Sequence, residues 1–317
     1  MRLVCTIFFL MLLAEVPAQP LRSAAVSDFR IREDSMKTLV YNIVRAQDAA
    51  IRFRSDSQFT RILVRALIQP HSFHYPFDSL SSISRLYAPD SNFRIFTWQV
   101  VKDEDYCRQR GFIQRKTKDG SLQFFPLRDV SEFTDALTDT VANAGGWMGA
   151  VYYRIIANQH NQKNYYTLLG YDEHDARTTR KWIDVLWFNQ NHEPVFGLAN
   201  GFIFEADSIP RTAQSRFLLE YKKDARARVQ YDEEMNLIIY DHLISESNEP
   251  NKKNTLIPDG DYEGFEWKEG RWKHIDKVFD FKLKDGEAPV PEPLNNNKEG
   301  MPTPKTNTAP PKKKAGN

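Results

Sequence analysis

The amino-acid sequence predicts an α+β fold, in which an N-terminal helical hairpin packs on a large antiparallel β-meander. Apolar residues recur at helical spacing between residues 28 and 69. From Phe93 onward, short segments rich in β-branched and aromatic residues alternate with tight polar turns. Strands that follow one another without intervening helices favour antiparallel pairing over βαβ units. The pattern leaves three arrangements of the meander open: an open sheet, a sandwich or a barrel.

The first 18 residues have the features of a secretory signal peptide. Arg2 supplies a positive charge, Leu3 to Ala14 form a short apolar core, and Val16 and Ala18 provide small residues for a cleavage site. We therefore expect residues 1–18 to be removed after Ala18. No later apolar run is long enough for a transmembrane helix, so the sequence predicts no membrane span after cleavage.

Residues 19–92 are predicted to form the helical N-terminal region. Two apolar stripes at helical spacing, centred on Ile43 and Leu63, predict a pair of helices, and Pro70 ends the second. The Ser-Asp-Ser sequence at residues 55–57 has turn and N-cap chemistry, which predicts the connection between them. Shorter helices are predicted at Leu80–Tyr87 and Val130–Thr138.

Residues 93–284 are predicted to form an antiparallel β-rich domain, as one compact unit with the helical region. Asp119-Gly120 between two β-rich segments is a strong hairpin signal. After residue 224, small and apolar residues alternate with Arg226 and Arg228, as in a strand with one buried face. The predicted strands lie near residues 93–100, 112–115, 122–125, 150–156, 165–171, 182–188, 201–205, 217–221, 225–231, 237–242, 263–267 and 272–279.

Residues 285–317 have the composition of a disordered tail. They contain seven prolines, no aromatic residue and three consecutive lysines at 312–314. Such a segment buries too little apolar surface to offset the entropy of ordering it. The sequence therefore predicts that the fold ends before Asp285.

Charge and cysteine content argue against several classes of protein. The 317 residues include 43 Lys and Arg and 42 Asp and Glu, a net charge of +1, whereas nucleic-acid binders carry a strong basic excess. After cleavage Cys107 is the single cysteine, so no intrachain disulfide forms. No Asn-x-Ser/Thr sequence occurs either. These absences favour a bacterial periplasmic or extracellular protein.

The sequence lacks the motifs of the common cofactor and metal enzymes. It has no P-loop, no dinucleotide-binding glycine motif, no nucleophile elbow and no HExxH sequence. His71 and His74 stand between prolines and have no third ligand nearby, so they predict no metal site. Cys107 lies among acids and arginines without a partner histidine, which predicts an ordinary free thiol. We expect no cofactor and no metal.

The candidate binding residues lie on two neighbouring turns of the meander. Turns on a rigid sheet are where functional residues concentrate, and indole rings offer a stacking face beside polar groups. Adjacent strand residues point to opposite faces, so Asp241 and His242 are not expected to pair with each other. The predicted site consists of Asp241, His242, Asp259, Asp261, Trp267 and Trp272.

Asp184 is the least expected polar residue, because it lies inside the apolar run Trp182–Phe188. A carboxylate buried there needs a partner. Arg216, Arg226 and Arg228 are the candidates, and a structural role is favoured.

A series of ordered blocks lies in the C-terminal two-thirds of the chain: Tyr165–Gly170, Ile183–Leu186, Pro194–Gly197, Phe217–Tyr221, Tyr240–Leu243 and Pro258–Phe265. As a set, these blocks resemble a group of uncharacterised exported proteins of Bacteroidota-type bacteria. The resemblance implies export and a bacterial envelope setting, and it assigns neither an activity nor a cofactor or catalytic residue.

The sequence favours an exported envelope or secreted protein with a binding or structural role. Its partner would be a glycan, a peptide or another envelope protein, and not a nucleic acid. The alternative is a hydrolase that acts on a glycan or peptide with two carboxylates at a defined separation. The carboxylates considered for that role are Asp184, Glu205, Asp241 and Asp259.

Overall fold

A helical hairpin covers one face of a stack of three β-sheets in the computed structural model, which describes residues 23–204 and 211–279. The predicted signal peptide (residues 1–18), the predicted tail (residues 285–317) and Glu205 lie outside the described residues. Neither helix of the described chain is both long and apolar enough to cross a membrane.

The two helices come first and the strands follow. In chain order the elements are α1 (Ser23–Arg45), α2 (Ala49–Leu67), β1 (Ser84–Tyr87), β2 (Phe93–Val101), β3 (Cys107–Arg115), β4 (Gln123–Leu127), β5 (Ala142–Asn143), β6 (Val151–His160), β7 (Lys163–Asp172), β8 (Thr178–Phe188), β9 (Pro194–Phe196), β10 (Phe202–Ile203), β11 (Phe217–Lys222), β12 (Val229–Asp232), β13 (Leu237–Ser245), β14 (Leu256–Lys268) and β15 (Arg271–Ile275).

The strands form three open sheets. The first sheet has the order β1-β2-β3-β4, and the second has the order β5-β9-β8-β7-β6 with β11 also paired to β8. The third sheet has the order β10-β15-β14-β13-β12. All pairings are antiparallel except that of β10 with β15. The α+β class and the helix-then-strand order are thus confirmed, and the open arrangement is the one of the three alternatives that the chain adopts.

Three apolar cores separate the four layers, and the alternation of side chains along each strand explains them. On β2, Phe96 and Trp98 face the helices, whereas Phe93 and Ile95 face the second sheet. On β8, Leu186 faces the first sheet, and the alternate residues belong to the core between the second and third sheets. The central strands β7 and β8 of the second sheet are therefore buried on both faces, which explains their continuous buried runs at residues 166–170 and 182–186.

The helical hairpin turns earlier than the sequence predicts. Its connection is residues 46–48, where the Asp48 side chain accepts a hydrogen bond from the Ala50 N–H at 2.7 Å as an N-cap. The predicted turn at residues 55–57 is wrong, because these residues lie inside α2. Asp56 is buried there and accepts a hydrogen bond from the Trp98 indole at 2.8 Å. Turn chemistry and a buried polar contact use the same residue types, so sequence alone does not separate them.

Two other short helices are also corrected. Within Leu80–Tyr87 the chain forms strand β1, which pairs with β2 at the edge of the first sheet. Within Val130–Thr138 only residues 131–133 are helical, as a single 3-10 turn. The hairpin at Asp119-Gly120 is confirmed between β3 and β4. Gly120 has a φ of +78°, and a Cβ there would lie 2.4 Å from the His71 ring, so the turn requires glycine.

Candidate functional site

A groove lined by cations and tyrosines opens where the second and third sheets diverge. Its volume is about 420 Å³. We call it the basic groove, and its defining side chains are Tyr153, Tyr171, Lys181, Tyr221, Lys223, Arg226 and Arg228.

Strand register brings these side chains together. Tyr171 on β7 lies opposite Lys181 on β8, and Tyr221 on β11 lies opposite Thr179. These residues continue the face of the second sheet that packs on the third, so the groove is the solvent-exposed end of that core. Tyr153 joins them from β6, where the pairing register shifts between Tyr152 and Arg154. Such bulges re-aim a side chain, and here the Tyr153 hydroxyl donates to the Val229 carbonyl at 2.7 Å.

Lys181 is held between two aromatic rings. Its ammonium lies 4.9 Å from the Tyr153 ring centroid and 5.0 Å from the Tyr171 ring centroid. Such contacts stabilise the cation through the quadrupole of each ring. Burial lowers the pKa of Lys181 from its ordinary value. No carboxylate among the described residues forms an ion pair with it.

Two arginines on the opposite wall are also without a counterion in the described chain. Arg226 and Arg228 are both exposed. Ala227, which lies between them, and Val229, which follows them, are buried. Arg226 has a φ of +56°, a left-handed conformation that costs energy for a residue with a Cβ. The fourth cation, Lys223, is different, because it forms an ion pair with Glu173 at 3.0 Å. The groove therefore has an excess of positive charge.

The tyrosines contribute no negative charge to this groove. Burial raises the pKa of Tyr153 and of Tyr171, and a hydrogen bond to Glu173 raises the latter further. Burial also raises the pKa of Tyr221 to about 12. All three side chains are neutral phenols near pH 7, so their rings and hydroxyls are available for stacking and hydrogen bonding.

The predicted site is brought together only in part. The His242 Nδ1 lies 2.8 Å from the Asp259 carboxylate, and its Nε2 lies 3.7 Å from Glu263. Glu263 also accepts hydrogen bonds from Tyr240 and His274, both at 2.7 Å. Burial opposes ionisation of Glu263, but these hydrogen bonds outweigh it and lower the pKa of that carboxyl. The hydrogen-bonded pair of His242 and Asp259 thus lies beside Glu263, at ion-pair distance from it, and Glu263 is not among the predicted site residues.

The remaining predicted residues have other roles. Asp241 accepts a hydrogen bond from the Arg228 backbone N–H. Asp261 donates its own backbone N–H to the Asp259 carboxylate, and both residues lie inside strand β14 rather than on the predicted turn. Trp267 is half-buried, with its ring centroid 5.7 Å from that of Tyr165. The proposed stacking role of Trp272 is wrong, because its side chain is fully buried between the second and third sheets.

The other polar residues of the sequence analysis are structural. Asp184 lies 3.2 Å from Arg216, and both side chains are sealed in the core. Cys107 is a free thiol, and burial raises its pKa. Within residues 23–204 and 211–279, no group of three or more His, Cys, Asp and Glu side chains could hold a metal ion.

Sequence reasoning missed most of the basic groove. The alternation of Arg226 and Arg228 with small and apolar residues predicts a strand at residues 225–231, but strand β12 begins only at Val229, and the two arginines precede it. Tyr153, Tyr171 and Lys181 come from three strands, and only strand register brings them to one place.

Comparisons of the chain with protein-family models, curated proteins and solved structures found no match. The chemistry of the groove is therefore the basis for a functional assignment. Uncompensated cations beside neutral aromatic rings suit an anionic ligand that also has stackable faces.

Proposed function

We propose that this protein is an exported binding protein of the bacterial envelope or extracellular space, and that it binds an acidic glycan in the basic groove. The observation that carries the proposal is the set of three cations, Lys181, Arg226 and Arg228, that have no ion-pair partner in the described chain. Arginine fork geometry and a lysine point charge both suit carboxylate or sulfate groups. Export follows from the signal-peptide features and from the resemblance to exported Bacteroidota-type proteins.

A glycan fits the groove better than other anions. Tyr153 and Tyr171 flank the Lys181 ammonium, so a ring stacked on a tyrosine has its acidic substituent next to the cation. The volume of about 420 Å³ falls in the range of small-ligand sites, about 300–1,000 Å³. The near-zero net charge of +1 does not favour nucleic acid.

The hydrolase alternative has less support from the geometry. Asp184 is sealed against Arg216, Asp241 accepts the Arg228 backbone N–H, and Asp259 is paired with His242. Each of these carboxylates is thus already engaged by a neighbouring group of the chain. The fourth, Glu205, lies outside the described residues.

The test is a calorimetric titration of the mature chain with a uronic-acid oligosaccharide and with a neutral oligosaccharide of equal length. We expect saturable binding of the acidic ligand that weakens as salt is raised, because salt screens exposed charges. The double variant Arg226→Gln/Arg228→Gln should lower the affinity by at least about tenfold, the equivalent of 1.4 kcal/mol. Arg65→Gln is the matched control, because Arg65 is exposed on α2, away from the groove.

Two results would contradict the proposal. One is equal binding of the neutral and acidic oligosaccharides, and the other is unchanged affinity in the double variant. A search for shortened products in the same samples tests the hydrolase alternative.

A further inference from the structure

A second cavity lies on the opposite face of the second sheet from the basic groove. Tyr171 lines the groove, whereas its neighbour Asp172 lines this second cavity, because successive strand residues point to opposite faces. The cavity lies between the first and second sheets and has a volume of about 390 Å³. We call it the acidic cleft, and its defining residues are Gln109, Asp129, Glu132, Asp172, His174 and Arg180.

Two carboxylates of the acidic cleft are each fixed through one oxygen only. Asp172 Oδ1 accepts hydrogen bonds from Gln109 Nε2 at 2.6 Å and from the His174 N–H at 3.0 Å. Asp129 Oδ1 accepts the N–H groups of Ser131 and Gly149, both at 3.0 Å. Within the described chain, the second oxygen of each carboxylate accepts no hydrogen bond. Both carboxylates are therefore held in place by one oxygen, and the other oxygen of each can still accept a hydrogen bond.

Gln109 supplies independent evidence for a ligand. This side chain is only 3% exposed, and its Oε1 is buried with no hydrogen-bond partner among the described residues. Its orientation is fixed, because the ionised Asp172 carboxylate accepts only and so requires the amide NH₂. Buried acceptors without a partner are rare in proteins. Gln109 is one of the residues that line the cleft, so this acceptor calls for a donor that the described chain does not supply.

The cation on the wall does not fill this role. The Arg180 guanidinium donates to Glu220 at 2.9 Å, on the side of β8 where β11 pairs. His174 lies 3.8 Å from the same carboxylate of Glu220. The cleft therefore offers acceptors from Asp129, Asp172 and Gln109 to which, in the described chain, neither the Arg180 guanidinium nor the His174 ring donates a hydrogen bond.

We propose that the acidic cleft binds a small alkylammonium ligand, such as an aliphatic diamine. A primary ammonium has one positive charge and three N–H donors, which match one carboxylate oxygen of Asp172, one of Asp129 and the Gln109 carbonyl. A metal ion is a poorer match, since the described residues hold no group of three or more His, Cys, Asp and Glu suited to one. This site is independent of the glycan proposal, because it lies on the other face of the sheet.

The experiment is a titration of the mature chain with putrescine and with tetramethylammonium, followed by calorimetry and by NMR of the Gln109 side-chain amide. Tetramethylammonium has the charge of a primary ammonium but no N–H donor. We expect putrescine to bind saturably, at least about tenfold more tightly than tetramethylammonium, and to shift the Gln109 amide signals. Asp129→Asn and Asp172→Asn should each weaken putrescine binding at least about tenfold.

Glu104→Gln is the matched control. Glu104 is an exposed acid that precedes the cleft residue Asp105 in the chain but does not itself line the cleft. It removes the same charge and should leave the affinity for putrescine unchanged. The proposal fails if putrescine does not bind, if tetramethylammonium binds equally well, or if Glu104→Gln weakens binding as much as Asp172→Asn. The NMR signals of Gln109 report on the wild-type chain, so the test does not depend on any variant folding. If the protein did not bind the acidic oligosaccharide, the proposal for the acidic cleft would still stand, because the two sites are tested with different ligands.

Discussion

The Asp241 carboxylate accepts the backbone N–H of Arg228 at 2.8 Å, and the Asp241 N–H donates to the Arg228 carbonyl at 3.2 Å. Asp241 is buried and does not line the basic groove. Its two hydrogen bonds fix the backbone that carries the exposed arginines of the basic groove. A residue that the sequence predicts to be a ligand-binding group is a positioning residue for another part of the molecule.

The first prediction separates these two roles. Asp241→Ala should weaken binding of the acidic oligosaccharide several-fold and cost about 1–3 kcal/mol of stability, because the Arg228 N–H loses its buried acceptor. Asp241→Asn should recover most of both, since its amide oxygen still accepts that hydrogen bond. Calorimetry and thermal unfolding measure the two effects. If the charge of Asp241 touched the ligand, Asn would not restore the affinity.

The second prediction concerns the buried pair Asp184 and Arg216. Both side chains are almost fully buried, and their 3.2 Å contact has ion-pair distance without hydrogen-bond alignment. Asp184→Leu alone should destabilise the protein by about 3–5 kcal/mol, because it leaves the Arg216 charge unpaired in the core. The double variant Asp184→Leu/Arg216→Met should be clearly more stable than the single one. Denaturant unfolding measures this, and a double variant as unstable as the sum of the single ones would contradict it.

The sequence predicts the two long helices and most strands, but it predicts the turn between the helices, the short helices and the pairing over long distances poorly. Periodicity reveals the helices and most strands, because each pattern depends on neighbouring residues. The division into three sheets depends on partners far apart in the chain, such as Phe217 opposite Ile183. Nothing in the local pattern around either residue identifies the other.

The same limit applies to the functional residues. His242 and Asp259 do meet, as members of one predicted site, but they lie on the paired strands β13 and β14 and not on the predicted turns. Lys181 was missed because it becomes notable only when register puts Tyr171 opposite it and a bulge turns Tyr153 toward it. Trp272 was misassigned because an indole in the core and an indole on a binding surface look the same in sequence.

The third prediction tests export. The charged start, the short apolar segment and the small residues at Val16 and Ala18 predict cleavage after Ala18. N-terminal sequencing of the protein recovered from the envelope or the medium should begin at Gln19. An intact Met1 on the recovered protein would contradict cleavage, and recovery of the protein from the cytoplasmic fraction alone would contradict the localisation that we propose.

The fourth prediction concerns Asp172 of the acidic cleft, whose contribution to the stability of the protein falls as the pH rises. Burial raises the pKa of Asp172 from 3.8 to about 6, against the opposing effects of the His174 N–H, Arg180 and Gln109, while Asp129 raises it further. The folded state therefore binds a proton more tightly than the unfolded state. The stability linked to that proton is fully present below pH 3.8 and is lost as the pH rises through about 6. Above this range the protein bears the cost of a buried carboxylate.

Asp172→Asn should therefore stabilise the protein at pH 8 by about 2–3 kcal/mol, because the amide keeps an acceptor for Gln109 and His174 and removes the buried charge. The gain should shrink as the pH falls from 7 toward 4, where the wild-type carboxyl takes up its proton. Thermal unfolding at several pH values measures the difference. Asp224→Asn is the control, because Asp224 is exposed and should show no such gain. If Asp172→Asn destabilised the protein at pH 8, the charge of Asp172 would support the fold and the prediction would be wrong. If Asp172→Asn stabilises the protein and also weakens putrescine binding, the carboxylate costs stability and serves ligand binding.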